Sequence, residues 1–252
     1  MATAARSHRT AQPAKTSAVF VKHYTDTGRG VAARQHLLWL QSIASGVRLP
    51  HLYPGTATHL VMERLPGRHP GPGDLTEVAA ALGRLHARAY HTHLHSARLD
   101  QPFAGSDGIT IADFHSSRRH VLTRLDIQHS TAPAALYKDA NLRNFLITPD
   151  DVGVVDFDDL TLAPFGYDLA KLVVSTAMTH GRLGNASIET ALGAYNRSVA
   201  ANGGPNDGCT TADLLRYCEV HHLLTAAYLH RNGYQHTWPT VRPGPAPLPA
   251  RH

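Results

Sequence analysis

Apolar and polar positions change period several times along this chain of 252 residues, and the changes divide it. Short apolar runs predict strands at Ser17 to Lys22, from Leu60 into Glu63, at 145–147 and at 152–155. Leu37, Leu40 and Ile43 recur on one face and predict a helix over 31–44. Gly67 to Gly73 is rich in Gly and Pro and reads as a linker. A helix then starts at Asp74, which with Glu77 makes an acidic variant of a capping box, and buries Leu75, Val78, Leu82 and Leu85. Arg98 to Gly108 reads as a loop and 111–128 as a helix. Further helices are expected over 168–179, 187–201 and 211–231, the last two separated by Gly203, Gly204 and Pro205. From Trp238 onward five prolines predict an extended or disordered tail. The expected organisation is α+β: a strand-rich part over 1–66, a mainly helical part over 67–235 and a Pro-rich tail over 236–252. No internal repeat is visible.

Composition narrows the class. Hydrophobic residues make up 42% of the chain, which is long enough to bury a substantial core. No apolar run is long enough to span a membrane, and Met1 to Gln12 lacks the apolar stretch of a secretory signal, so no membrane partner is expected. Two cysteines, Cys209 and Cys218, are too few for a disulfide framework, which makes a reducing cytoplasm the expected compartment. The formal charge of +5 is uneven: residues 1–100 carry +7 and residues 101–252 carry −2. A basic half suits a nucleotide, whereas no basic run interleaved with aromatics suggests nucleic acid. His91, His93 and His95 share a side only on a strand, yet they follow a helical pattern, so they are not read as a zinc site.

The stretch 137–159 carries the chemistry. Asp139 and Asn144 stand five apart, and Asp156 follows a strand, a turn at Thr148 to Asp151, and a second strand. Folded as a hairpin, the strands bring Asn144 beside Asp156, so that an amide oxygen and a carboxylate converge. That pair suits Mg²⁺, a hard cation that takes its remaining ligands from water and phosphate. Asp139, on the loop entering the hairpin, would then address a substrate hydroxyl. A plain surface hairpin accounts for Asp150 and Asp151. It does not account for Asp156, a carboxylate inside an apolar run that would be costly without a partner.

These residues resemble the aminoglycoside phosphotransferase and choline kinase group of kinase-like enzymes. Asp139 and Asn144 match its catalytic loop, Val155-Asp156-Phe157-Asp158 its metal segment, and Gly166-Tyr167-Asp168-Leu169-Ala170 the helix start that follows. The resemblance implies a protein-kinase-like, two-lobed α+β fold and an ATP-dependent phosphotransferase using Mg²⁺. Asp139 would be the catalytic carboxylate, and Asn144 with Asp156 the metal ligands. Asp168 would cap the next helix and brace the catalytic loop. Lys22 would neutralise nucleotide phosphates, and backbone groups near Glu63 and Leu65 would hold the adenine edge. Asp158 and Asp159 would attract an acceptor's amino group, or one of them would assist the metal. The acceptor would be a small hydroxylated molecule, with aminoglycosides, other hydroxylated antibiotics, choline-like amines and sugars all open.

Three departures from the family pattern stand out. The helix after Lys22 contains no acid, and Gln35 stands roughly where a glutamate partner for the lysine is expected. No glycine precedes Lys22, so a phosphate-gripping loop is absent or rebuilt from residues such as Ser7, Thr10 and Thr16. Tyr137 and Lys138 replace His-Gly. Lys138 either acts on Asp139 and the phosphoryl group or points to solvent, and Arg143 is expected in solvent. A pseudokinase that binds nucleotide or scaffolds a partner without turnover is the alternative to an enzyme.

Overall fold

Lys22 lies on the first strand, β1 (Val19–His23), which pairs antiparallel with β2 (His59–Glu63). Between them runs α1 (Thr27–Ser42), capped by the Asp26 carboxylate, which accepts from the Gly28 and Arg29 amides. The computed structural model describes residues 19–105, 108–127 and 132–244. The expected phosphate-loop residues Ser7, Thr10 and Thr16 and the chain end from Pro245 lie outside the described residues.

The amphipathic pattern after the linker becomes α2 (Leu75–Thr92), whose Leu75, Val78, Leu82 and Leu85 are buried. Each such leucine contributes on the order of 2 kcal/mol by leaving water. Asp74 stands at the N-cap position, but its side chain does not bond the amides of this helix. Its carboxylate accepts from the Gly71 amide and pairs with Arg68. α2 packs along α5 (Asn185–Ala201) closely enough that a Cβ at Gly83 would lie 2.5 Å from the Tyr195 carbonyl oxygen. Only glycine allows that approach.

Segment 111–128 is not one helix. Thr110–Ile111 forms β4, paired with β3 (Phe103–Ala104), and only α3 (Arg119–Arg124) is helical. Here the chain pairs with a neighbour, since the Leu162 amide donates to the Ala112 carbonyl. Besides β3, which interrupts the expected loop over 98–108, and β4, two longer strands escaped the sequence pattern, β5 (Ala134–Tyr137) and β8 (Thr161–Pro164), which pair antiparallel. Alanine has little strand preference and Pro164 argues against a strand, so tertiary context decides both.

The expected hairpin is present as β6 (Phe145–Ile147) and β7 (Val152–Val154). It is tied to the first part of the chain by the Arg48 amide on Val152 and the Val154 amide on the Arg48 carbonyl. α4 (Tyr167–His180) follows, then α5, then α6 (Thr211–Thr225), which ends six residues earlier than expected. The tail expectation also changes. Trp238–Val241 forms a short helix, α7, with Trp238 buried and its indole N–H donating to Glu219. Burial of an aromatic ring outweighs the local proline signal. No helix among the described residues is long and apolar enough to cross a membrane.

Candidate active site

The loop between β5 and β6 delivers two of the three key polar side chains. Asp139 sits at φ 62°, in the left-handed region that a non-glycine residue enters at a cost. The strain is held by Asp168 from α4, whose two carboxylate oxygens accept from the Lys138 amide (3.2 Å) and the Ala140 amide (2.8 Å). Asp168 is fully buried and lies within the first turn; the residue that caps α4 is Gly166, at φ 86°. A Cβ on Gly166 would meet Cys209 Sγ at 2.2 Å, so the expected Asp168 cap gives way to a glycine that both turns and clears its neighbour. Asp168 has a further neighbour in His86, whose Nε2 lies 3.7 Å from it.

Asn144 donates its amide nitrogen to the Asp139 carbonyl at 2.8 Å. That bond fixes the amide, so its oxygen is free for another ligand. The Asn144 carbonyl accepts the Val155 amide at 3.0 Å, which ties the catalytic loop to the residue before Asp156. Asp156, like Asp139, sits at positive φ, 66°. Asn144 and Asp156 thus offer an amide oxygen and carboxylate oxygens, the hard donors that Mg²⁺ takes. Among the described residues no three His, Cys, Asp or Glu side chains converge as a metal site, so an ion here needs oxygens from phosphate or water.

Lys22 reaches this point. Its ammonium lies 2.8 Å from Asp156 Oδ1 and 2.8 Å from Asp158 Oδ1. Burial pulls the lysine pKa down, but the two carboxylates outweigh it and leave a net rise. Burial raises the Asp156 pKa, but Lys22 and the other neighbours outweigh it and leave a net fall, so the carboxylate stays ionised. Asp158 also accepts the Tyr24 hydroxyl at 2.7 Å and is nearly enclosed, whereas Asp159 is exposed beside Arg29. Gln35 is exposed on α1.

Lys138 does not point to solvent. It is buried, donates to the Val155 carbonyl at 3.0 Å and lies over the Phe145 ring, and burial lowers its pKa. Arg143 is exposed. Tyr137 donates its hydroxyl to Asp139 Oδ1 at 3.1 Å and stacks on His221. Lys171 from α4, which the sequence pattern had not singled out, lies 3.3 Å from the same oxygen and 3.1 Å from the Tyr234 hydroxyl. Its position in the helix after Asp168 was the available signal.

Near the proposed adenine edge, the Glu63 amide donates to the His51 carbonyl at 2.8 Å and its carboxylate pairs with Arg48. The Glu63 N–H is therefore engaged within the protein. Leu65 is buried.

A family model described as the phosphotransferase enzyme family matches residues 43–201. Among solved structures the chain is similar to an amicoumacin kinase in complex with AMP-PNP and Ca²⁺, at 14% identity and TM-score 0.54, covering 84% of this chain and 73% of that one. It is similar to a macrolide 2'-phosphotransferase from Brachybacterium faecium at 15% identity and TM-score 0.53, covering 83% and 77%. A choline/ethanolamine kinase family protein from Mesorhizobium loti aligns at 18% identity and TM-score 0.50, covering 82% and 71%. These likenesses show a shared protein-kinase-like fold of mixed helix and strand. No curated protein matches the chain.

Proposed function

The chain belongs to the phosphotransferase enzyme family, and from that premise we propose that it transfers the γ-phosphoryl group of ATP to a hydroxyl of a small molecule. The observation that carries this reading is the bond from the Asn144 amide to the Asp139 carbonyl, at the hairpin that presents Asp156 to Lys22. One carboxylate is left for the acceptor, and two oxygen-bearing side chains are left for a metal.

In this reading Asn144 and Asp156 hold Mg²⁺, which neutralises charge on the nucleotide phosphates. Lys22 contacts those phosphates. Backbone groups near Glu63 and Leu65 meet the adenine edge, with Glu63 using its carbonyl. Asp139 orients the acceptor hydroxyl and accepts its proton. The acceptor oxygen forms a bond to the γ-phosphorus while the bond to the β–γ bridging oxygen breaks, and ADP leaves. The part through Pro66 acts as a small nucleotide-binding lobe and the part from Gly67 as the catalytic lobe. The similar solved structures include a macrolide phosphotransferase and a choline/ethanolamine kinase family protein. Hydroxylated antibiotics and amino alcohols are therefore the acceptors to try first, with resistance to an antibiotic as one biological outcome. Both cysteines are free thiols, in keeping with a cytoplasmic setting.

The test is a panel of aminoglycosides, macrolides, other hydroxylated antibiotics, amino alcohols and sugars incubated with Mg²⁺ and ATP, read by mass spectrometry for the gain of one phosphate. Transfer that Asp139→Asn lowers by roughly 10² to 10⁴, with ATP affinity retained, supports the reading. Mg²⁺-dependent ATP binding without transfer to any compound would favour a nucleotide-binding pseudokinase.

A further inference from the structure

Lys22 is held, yet not by α1. That helix contains no acidic residue, and Gln35 is exposed. The ammonium instead divides its donors between Asp156 and Asp158, each at 2.8 Å. The two carboxylates are not equivalent. The Asp156 side chain is 42% exposed, while that of Asp158 is 13% exposed.

Asp158 is also fixed from three sides. The Tyr24 hydroxyl donates to its Oδ1 at 2.7 Å, and Arg29 on α1 lies 3.6 Å from its Oδ2. The segment carrying it is pinned by buried His36, whose Nδ1 bonds the Phe157 carbonyl at 2.8 Å. α1 therefore grips the metal segment through a histidine and an arginine, and the metal segment grips the lysine. A carboxylate immobilised in this way loses little entropy when it holds an ammonium, and a partly dry site strengthens the pair.

We propose that Asp158 is the positioning residue for Lys22, filling the part that an acid-free α1 leaves open, and that Lys22 exchanges its bond to Asp156 for a nucleotide phosphate while keeping Asp158. This rests on the reading of Lys22 as a nucleotide ligand. The exchange has a simple electrostatic basis. A divalent cation at Asp156 repels the ammonium, and a phosphate offers it a replacement anion, whereas Asp158 is the more enclosed carboxylate and stays held by Tyr24 and Arg29. With Asp158 so engaged, the side chain left to attract an acceptor's amino group is Asp159.

The experiment is a double-mutant cycle on ATP affinity, measured by calorimetry with Mg²⁺ present, with melting curves confirming that each variant is folded. Asp158→Asn should weaken ATP binding by about tenfold, the loss expected for one hydrogen bond to a charged group. Asp158→Glu should recover most of that loss. In a Lys22→Met background Asp158→Asn should add nothing, and Gln35→Glu should stay within about twofold of wild type, as expected for an exposed charge. If Lys22→Met leaves ATP affinity unchanged, the reading of Lys22 fails and takes the proposal with it. If Lys22→Met weakens binding but Asp158→Asn does not, or does so equally in both backgrounds, only the proposal fails. A second readout needs no nucleotide: Mn²⁺ titrated by electron paramagnetic resonance should bind Lys22→Met more tightly than wild type, because Asp156 loses its competing cation. Unchanged Mn²⁺ affinity would overturn the exchange.

Discussion

Lys171 brings a buried ammonium to 3.3 Å from Asp139 Oδ1, and the Tyr137 hydroxyl donates to the same oxygen at 3.1 Å. One oxygen of the proposed catalytic carboxylate is thus tethered, and the other is free to meet a hydroxyl. Burial opposes the charge on Lys171, but Asp139 and Tyr234 more than offset it and raise its pKa, so the cation persists through neutral pH. Lys171→Met should lower turnover about tenfold or more while leaving ATP affinity within about twofold, since it removes an orienting charge and no nucleotide contact. Steady-state kinetics with an acceptor found in the panel, alongside calorimetry, checks this. A loss confined to ATP binding would assign Lys171 elsewhere.

Asp156→Ala is expected to impair Mg²⁺-dependent ATP binding more than Asn144→Ala does. A carboxylate brings a full charge to a hard cation, and an amide only a dipole. ATP titrations with and without Mg²⁺ separate the metal-dependent part, and equal losses in the two variants would contradict the unequal roles.

Asp168 accepts from the amides on either side of Asp139 and so holds the strained loop. Asp168→Asn keeps the shape but leaves one of the Lys138 and Ala140 amides facing an N–H, in a site with no exposure. A loss of about 3 kcal/mol in urea unfolding is expected. A change below about 0.5 kcal/mol would mean that other contacts hold the loop at Asp139.

The packing around Tyr137 predicts acid sensitivity. His221 bonds the Tyr167 carbonyl at 2.9 Å through Nε2 and stacks on Tyr137. Burial first, and Lys171 second, hold its pKa well below the usual value. The unfolded chain takes up this proton near pH 6.5 and the folded chain does not, so stability falls as pH drops below about 6.5, by up to ~1.4 kcal/mol per unit. His221→Gln keeps a donor for Tyr167 and cannot titrate. Between pH 7 and pH 5 it should lose about 2 kcal/mol less stability than wild type, measured by denaturant unfolding at each pH. Parallel pH profiles would show that His221 protonates in place.

What the chain states locally, the sequence alone determined: the amphipathic helices, the hairpin at β6 and β7, and the spacing that sets Asp139, Asn144 and Asp156 in one neighbourhood. Each lies within a short stretch of chain, where side-chain period and turn chemistry dominate. Tertiary structure decided the rest. β5 and β8 are strands because each completes the other's hydrogen bonds across 24 to 30 residues, against the preferences of Ala134, Ala135 and Pro164. Trp238 joins the core of a tail whose prolines argue for extension, because burying an indole outweighs them. The partners of Lys22 and Asp139 belong here as well. Asp158 and Lys171 are 136 and 32 residues away from them in the chain, and a pairing of charges over such separations follows from how helices and strands pack, which no local pattern encodes.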